Sequence, residues 1–535
     1  MKHVVVVGSG PSGMHFAVTL LNKGYRITMV DAGVEKPAPV LPDSSFDDLR
    51  KDLADPAGYL LGQQFEAVSL PGSDADFYAF PPSKRYVFES AQDFTYAARG
   101  FSPLFSFARG GLAEAWTGGV YPLIDAEMGD FPFGAGALQP YYAEVARRIG
   151  VNGSADDLSR FFPVHDHLME PLNLSPHATA LLRSYHDKRA PLNAAGVYFG
   201  RSRIATLTRD LGERRGCDYS GRCLWGCASG ALYTPSWTLR ECLSHPNFEY
   251  LPHSYVTHFR YDRARRVTAL AVKQGVQGSA VEIPVQHLVL AAGTLSTSRI
   301  VLESIYRETG EVLALPGLMD NRQILIPYVN LRALGTAYEP RSYQFHQVAM
   351  GIEMDRPEEY VHSQITALTT ALVHPLVQKL PLDLRAATAV FRNLRSALGI
   401  INVNLHDRRR ADSYVTLEPS GNGKSSKLVI EYVPDAQEAA TIKTVTKRIG
   451  GVMRKLGCVV APGMTHVRPK GAGVHYAGTI PMSTSQSSLT ASSLCQSHDF
   501  PNLHLVDGAP YPFLPAKNIT FTLMANAVRV ADQAF

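Results

Sequence analysis

The N-terminal residues show an apolar strand, an amphipathic helix and a second apolar strand in succession. Residues 3–7 predict a short buried strand, because a continuous apolar run follows His3. Pro11 stands where a helix begins, since its missing N–H costs least there, and Gly24 ends the helix. Residues 25–30 supply the second strand. The helical stripe comprises Met14, Ala17, Val18 and Leu21. This pattern predicts a β-α-β unit over residues 3–31.

Alternating apolar and polar positions predict two further groups of strands. The first group comprises residues 248–251, 256–260, 267–272 and 280–283, and a buried apolar strand follows at 288–292 and ends at Gly293. The second group comprises residues 324–331, 343–354, 398–405, 414–417 and 428–433, with a turn at 420–423. It predicts a mostly antiparallel sheet inserted into the chain. Helices are expected over 138–151, from a cap at Asp435 to about Leu456, and over 522–534, and residues 34–105 are expected to form loops and short helices.

Composition indicates a folded globular protein. Hydrophobic residues make up 45% of the 535 and charged residues 19%, enough for a large core. The net charge is only +4, and lysine and arginine do not form a long stripe. We therefore expect no nucleic-acid partner. The sequence indicates no oligomeric state.

Membrane and secretion signals are not evident. The longest span without acidic or basic residues, 360–378, carries polar side chains and is too polar to cross a bilayer. Residues 1–3 leave no room for a signal peptide before the first strand. We expect a soluble, cytoplasmic protein with its six cysteines reduced.

A glycine-rich turn follows the first strand. Gly8, Gly10 and Gly13 have the spacing of a dinucleotide-binding turn, in which they allow a tight turn, approach of a pyrophosphate and packing of the helix on the strand. Asp31 lies 18 positions after Gly13, close to the spacing of a carboxylate that binds ribose hydroxyls. The turn predicts a dinucleotide site but does not separate FAD from NAD.

Two late residues indicate what the dinucleotide is used for. His475 precedes a Tyr-Ala-Gly-Thr stretch, and an imidazole titrating near neutrality suits removal of a hydroxyl proton. Asn518 can hydrogen-bond an oxygen on which charge develops. The alternatives are a histidine packed in the core and an asparagine in a turn.

Other polar residues have competing interpretations. Cys217, Cys223 and Cys227 are separated by five and three residues, unlike the paired spacing of structural zinc, so we expect reduced thiols and no metal. A polar substrate pocket or a solvated sheet face would equally explain the polar residues of the inserted sheet. These are Gln344, His346, Gln347 and His362.

Four blocks of sequence together resemble the glucose–methanol–choline (GMC) family of FAD-dependent oxidoreductases over nearly the whole chain, nearest to its pyranose-oxidase-like members. The blocks are VVVVGSGPSG with Asp31-Ala32-Gly33; ARGGLAEAWTGG at 108–119; LVLAAGTLSTSRIVLES at 288–304; and HYAGTIPMS at 475–483 with the stretch 503–532. The resemblance implies an α/β fold with a discontinuous Rossmann-like FAD-binding domain and an inserted antiparallel-sheet (α+β) substrate domain. It implies boundaries of 1–45, 95–160, 205–310 and 466–535 for the first domain, and 46–94, 161–204 and 311–465 for the second.

The same resemblance implies roles for individual residues. His475 matches the catalytic base and Asn518 the second residue of the catalytic pair. Asp31 matches the ribose-binding acid, and Val256 a backbone contact to adenine. The residues it assigns to the cofactor are Gly8, Gly10, Pro11, Ser12, Gly13, Asp31, Ala32, Gly110, Gly111, Ala115, Trp116, Thr117, Val256, Ala292, Gly293, Asp507, Gly508, Ile519 and Thr520.

One departure from the family bears on the cofactor. Ala115 stands where pyranose oxidases have a histidine bonded covalently to FAD, so non-covalent FAD is expected. Ile519 stands where the family often has proline.

The expected reaction is oxidation of a sugar, glycoside or polyol-like alcohol, with proton abstraction by His475, hydride transfer to flavin N5 and reoxidation by oxygen or another acceptor. Sterol or other alcohols, an FAD- or NAD(P)-linked dehydrogenase acting on C–C or C–N bonds, and a non-catalytic flavin- or nucleotide-binding protein stay open as alternatives.

Overall fold

A computed structural model of the chain describes residues 2–35, 41–65, 67, 81–91, 94–275, 278–368, 377, 380–419, 426–460 and 463–535. The turn predicted at 420–423 lies outside these residues. The described α-helices are Pro11–Asn22, Phe46–Asp52, Pro56–Leu61, Gln139–Ile149, Pro176–His186, Arg189–Asn193, Pro235–Leu243, Thr294–Thr309, Leu384–Leu394, Glu438–Lys455 and Thr520–Gln533.

A five-stranded parallel sheet forms the centre of one half of the molecule. Its strand order is Leu503–Leu505, His287–Leu290, His3–Val7, Arg26–Val30 and Phe248–Leu251. The strands come from the two ends and the middle of the chain, so this half can form only when distant segments meet. The predicted β-α-β unit is its centre.

Both faces of the parallel sheet are buried, which explains why residues 4–7 of its first strand are all valine. Val4 and Val6 pack on one face against the helices Pro11–Asn22 and Thr520–Gln533. On the opposite face, Leu288 and other strand residues pack against the helix Thr294–Thr309 and a three-stranded antiparallel sheet. That antiparallel sheet consists of Ser254–Tyr261, Val267–Gln274 and Ser279–Pro284.

A seven-stranded antiparallel sheet forms the centre of the other half. Along the sheet the strands are Cys458–Val460, Arg322–Asn330, Leu398–Leu405, Val361–Ala367, Val348–Ile352 and Val197–Arg201, and His466–Val467 also pairs with Arg322–Asn330. One face packs on the helices Pro176–His186 and Glu438–Lys455 through residues such as Ile324 and Ile326. Because side chains alternate along a strand, the neighbouring residues point the other way, into a cavity.

Four smaller sheets accompany these among the described residues. A four-stranded sheet contains Ala314–Pro316, Tyr414–Pro419, Ser426–Glu431 and Tyr96–Arg99. Three two-stranded pairs join Met319–Asp320 with Tyr476–Ala477, Asp407–Arg408 with Phe513–Leu514, and Val151–Asn152 with Leu168–Met169.

The predicted fold class, α/β with a parallel sheet and an antiparallel sheet, is confirmed. Several details were wrong: the strand expected at 343–354 spans only Val348–Ile352, and Asp435 does not cap the long helix, which begins at Glu438 after an N-cap at Gln437. The domain boundaries stay a prediction. The helices of the described residues include none with both the length and the apolar character of a membrane span.

His504 is buried within the parallel sheet, where its ring lies 4.9 Å from that of Phe535. Burial lowers the pKa of His504 to about 4. In the unfolded chain a histidine titrates near ~6.5, so between these values the unfolded state binds more protons. This histidine therefore contributes stability above about pH 6.5 that is lost as the pH falls toward 4.

We expect His504→Leu to lose less stability than the wild type between pH 7 and pH 5, by up to about 2 kcal/mol in the free energy of unfolding. Denaturant unfolding at the two pH values measures this. His186→Leu, at an exposed position, is the matched control and should show the wild-type pH dependence. An unchanged pH dependence in His504→Leu would contradict the account.

Candidate active site

A cavity of about 1090 Å³ lies between the parallel sheet and the seven-stranded sheet. It begins at the carboxyl ends of the parallel strands, where ligands bind in open α/β sheets. Every residue assigned to the site from the sequence lines it except Gly13 and Gly110. The lining residues of that set are Gly8, Gly10, Pro11, Ser12, Asp31, Ala32, Gly111, Ala115, Trp116, Thr117, Val256, Ala292, Gly293, His475, Asp507, Gly508, Asn518, Ile519 and Thr520.

The glycine turn leaves the start of the first helix open to the cavity. A Cβ at Gly13 would lie 2.1 Å from the carbonyl oxygen of Gly8, so Gly13 packs the helix against the turn. A Cβ at Gly10 would meet no atom within 4 Å. The N–H groups of the first helical turn have no partners within the helix, and they favour a negative group there. The turn therefore fits the pyrophosphate of a dinucleotide.

Asp31 joins the glycine turn to the loop at 108–119. Ser9 Oγ donates to Asp31 and accepts from the N–H of Gly110 at 2.8 Å. The hydroxyl of Tyr250 also donates to Asp31, at 2.9 Å. Burial raises the pKa of Asp31, and these donors oppose that rise. Gly110 therefore does not line the cavity, but the hydrogen bond from its N–H to Ser9 fixes the loop at 108–119 to the glycine turn.

The loop at 108–119 is fixed at two points. The indole Nε1 of Trp116 donates to the carbonyl oxygen of Tyr233 at 2.7 Å, and the hydroxyl of Tyr343 donates to the carbonyl oxygen of Thr117 at 2.9 Å. Ala115 lies in the same loop and presents only a methyl group to the cavity.

Asp507 fixes the end of another parallel strand. Its carboxylate accepts from the N–H of Gly293 at 3.0 Å, from the hydroxyl of Thr297, and from the N–H of Ala509 at 2.9 Å. Burial raises the pKa of Asp507 to about 6, against the effect of these donors. The carboxylate thus holds together the chain segments after two parallel strands.

The backbone around His475 is anchored on both sides. Tyr476 follows it, and its carbonyl oxygen accepts from Thr294 Oγ1 at 2.6 Å. The Tyr476 hydroxyl accepts from the N–H of Leu104 at 2.9 Å and donates to the carbonyl oxygen of Gly471. Val474, before His475, has a φ of 56°, in the left-handed region that β-branched residues avoid. Such a conformation costs on the order of 1–3 kcal/mol and is found where surrounding contacts enforce it.

The His475 imidazole is in its neutral form near pH 7. Burial lowers the pKa of this ring to about 4. Its Nδ1 is buried and has no hydrogen-bond partner among the described residues. A neutral imidazole that lines a cavity can accept a proton from a bound hydroxyl.

Gln364 orients Asn518. Its Nε2 donates to Asn518 Oδ1 at 2.7 Å and to the hydroxyl of Tyr121 at 3.3 Å. With its oxygen engaged, Asn518 has the N–H groups of its amide left to donate. The sequence analysis placed His362 on the inserted sheet but gave no bounds for the strand Val361–Ala367, and it did not single out Gln364 on that strand.

A buried ion pair lies beside Asn518 in the chain. Lys517 Nζ is fully buried and donates to Glu127 and to the carbonyl oxygens of Pro122 and Phe161. Burial lowers the pKa of Lys517 and raises that of Glu127, while their opposite charges counter both shifts. These bonds fix the backbone that leads into Asn518, and the sequence offered no signal for the pairing.

The four polar residues considered for a substrate pocket, Gln344, His346, Gln347 and His362, do not all face the cavity. His346 lines the cavity, whereas the rest of the set does not. Gln347 accepts from the N–H of Ser175 and donates to a backbone carbonyl. The His362 ring packs against Tyr121 at 4.4 Å.

The three neighbouring cysteines lie in apolar clusters. Burial raises the pKa of Cys217 to about 12 and that of Cys223 well above its usual value, which keeps both thiols protonated. Cys227 packs in the same cluster as Cys217. Within the described part of the chain, no group of three or more histidine, cysteine or acidic residues is arranged to hold a metal ion.

Residues 409–527 match the family model described as GMC oxidoreductase. This segment contains His475, Asn518 and the last parallel strand. The C-terminal part of the chain thus resembles the GMC oxidoreductases. The chain is an oxidoreductase, and the resemblance implies FAD as the cofactor.

Comparisons over the whole chain agree with this family. The chain is 23% identical to paromamine 6'-oxidase of Streptomyces fradiae, over 99% of this chain and 90% of that protein. It is 22% identical to 2-methyl-1,2-propanediol dehydrogenase of Mycolicibacterium austroafricanum, over 99% and 94%.

Among solved structures, pyridoxine 4-oxidase from Mesorbium loti has a TM-score of 0.61 at 14% identity, covering 100% of this chain and 99% of that one. Formate oxidase from Aspergillus oryzae, in a structure concerning the effect of R554A on FAD modification, has a TM-score of 0.62 at 12% identity, covering 99% and 98%. These likenesses show that the fold is shared.

The contrast between two glycines gives a test of the turn. Gly13→Ala should lower the free energy of unfolding by about 1–3 kcal/mol or more, because the added methyl group meets the carbonyl of Gly8. Gly10→Ala should leave unfolding of the apoprotein close to the wild type and weaken FAD binding, because its methyl group enters the cavity. Denaturant unfolding and FAD titration measure the two effects. Equal stability of both variants would contradict this description.

Proposed function

We propose that the protein is an FAD-dependent enzyme that oxidises the CH–OH group of an alcohol to a carbonyl. The observation that supports this most directly is that the glycine turn, His475 and Asn518 open on one cavity. A dinucleotide site and a neutral base are thereby brought to a common space.

The cavity fits FAD along its length. The turn around Gly10 would hold the pyrophosphate, Asp31 the ribose, and the segment at Val256 the adenine. The loop at 110–117, together with Asp507, Gly508 and the start of the last helix, would hold the isoalloxazine. Ala115 offers no nucleophile, which supports non-covalent binding. FAD held there would supply, at flavin N5, an acceptor for the hydride of the carbinol carbon.

His475 acts as the general base in this proposal. Its neutral ring takes the hydroxyl proton as the carbinol carbon loses its hydride. Because the ring is already neutral, it does not have to lose a proton before it can act as a base. The pKa of about 4 keeps this base available throughout the neutral range.

Asn518 stabilises the oxygen of the substrate. Because Gln364 occupies its carbonyl oxygen, the Asn518 amide donates an N–H to that oxygen as negative charge develops. Gln364 is a positioning residue here, since it acts through Asn518.

A sugar, glycoside or polyol-like substrate is supported by the polar end of the cavity, where His346 and Gln364 accompany the catalytic pair. The similarity to an oxidase named for paromamine and a dehydrogenase named for a diol points to hydroxyl-bearing molecules.

His475→Ala should retain FAD and slow its reduction by an alcohol by on the order of 10²–10⁴, because the general base is lost. Asn518→Ala should slow it by on the order of 10²–10³, because one donor to the developing charge is lost. Anaerobic stopped-flow mixing with a panel of sugars and diols measures the rate from bleaching of the flavin band.

His186→Ala serves as the control and should reduce at the wild-type rate, because this residue is exposed and lies outside the cavity. A His475→Ala protein that binds FAD and is reduced as fast as the wild type would refute the assignment. Bleaching by NAD(P)H alone would favour a dehydrogenase acting on other bonds.

A further inference from the structure

The cavity-facing side of the seven-stranded sheet changes from polar to apolar along its strands. Three adjacent strands contribute to this surface, and their inward residues alternate with residues of the core on the opposite face. The inward residues are Gln323, Leu325, Pro327 and Val329; Leu398, Ile400 and Asn402; and Gln364, Thr366 and Leu368.

Strand register arranges these side chains in rows. Leu325, Asn402 and Gln364 lie side by side in the row nearest to Asn518. The next row holds Pro327, Ile400 and Thr366.

The outer row is wholly apolar. Val329 pairs with Leu398, whose carbonyl oxygen accepts from the N–H of Leu368 at 3.0 Å. Successive rows are two residues apart, so the outer row lies roughly 13 Å from the row of Gln364.

The helix Leu384–Leu394 completes the apolar end. Phe391 and Leu394 line the cavity from this helix. Phe391 also belongs to a cluster with Leu368 and Leu398, so the outer row and the helix form one continuous apolar surface. A hydroxyl-rich group placed here would lose its hydrogen bonds to water without replacement.

We infer that the substrate is an amphiphilic alcohol, with its hydroxyl-bearing end beside His475 and Asn518 and an alkyl or aryl substituent on the apolar end formed by Ile400, Leu398 and Phe391. This inference rests on the proposed function. It deepens that function by naming the second chemical part of the substrate: a hydrocarbon group that reaches roughly 10 Å beyond the reacting carbon.

A series of 1,2-alkanediols, from propanediol to octanediol, tests the inference because the reacting end stays constant while the chain lengthens. Isothermal titration of FAD-loaded His475→Ala protein gives the dissociation constant while oxidation is suppressed. We expect the constant to fall by ~3–4-fold for each added CH₂ that reaches the apolar end.

Ile400→Asn, introduced into the same His475→Ala protein, should reduce the dependence of affinity on chain length. We expect it to weaken the binding of octanediol by at least ~10-fold and to have little effect on the binding of propanediol. Leu398→Asn is a second variant in case the first fails to fold. Val281→Asn, on an exposed strand of another sheet, is the matched control and should keep the full dependence on length.

The outcomes separate the two proposals. Binding that does not depend on chain length, binding that Ile400→Asn leaves unchanged, or no binding of any diol would overturn the inference. If sugars reduce the flavin of the wild-type protein and diol binding does not depend on chain length, the inference of an apolar substrate group is overturned, but the proposed alcohol oxidation is kept. Length-dependent diol binding, with no alcohol of any class reducing the flavin, would support the apolar end and refute the proposed function.

Discussion

A close approach between two backbone segments holds the candidate site together. The carbonyl oxygen of Tyr476 would lie 2.3 Å from a Cβ at Gly508, so these segments meet only because residue 508 has no side chain. The same carbonyl accepts the hydroxyl of Thr294, at the start of the helix after a parallel strand. Through this contact the segment that carries His475 is fixed to the sheet that carries the glycine turn.

Other contacts direct side chains within that frame. Val474 is held in a conformation that costs free energy, which the bonds of Tyr476 and Gly471 help to enforce. Asn518 is directed by Gln364 from the seven-stranded sheet, so the proposed catalytic pair depends on both halves of the molecule. A cavity built in this way is polar near the pair and apolar farther along the same sheet.

Local sequence patterns predicted the parts of the fold that depend on neighbouring residues. The β-α-β unit followed from the apolar run, the glycine spacing and Gly24, all within residues 3–31. The resemblance to a known family, together with the residues around them, made His475 and Asn518 candidates, and both line the cavity with the glycine turn. Their roles stay predictions.

Features that depend on distant partners were missed. Val197–Arg201 pairs with Val348–Ile352, roughly 150 residues later, and neither sequence indicates the other. The roles of Gln364 and Lys517 could not be predicted because they depend on hydrogen bonds to Asn518 and Glu127, which are distant in sequence and are brought together by folding. Asp435 suggested a helix cap, but its carboxylate accepts the N–H of Gln437 in a turn that precedes the helix.

A crystal structure of the FAD-loaded protein with a bound alcohol tests the central claim most directly. The account predicts the pyrophosphate at the turn of Gly10 and the isoalloxazine beside the loop at 110–117. The substrate hydroxyl should lie within roughly 3 Å of the His475 ring and of the Asn518 amide. A flavin bound elsewhere, or an isoalloxazine with the His475 ring far from its substrate-binding face, would contradict it.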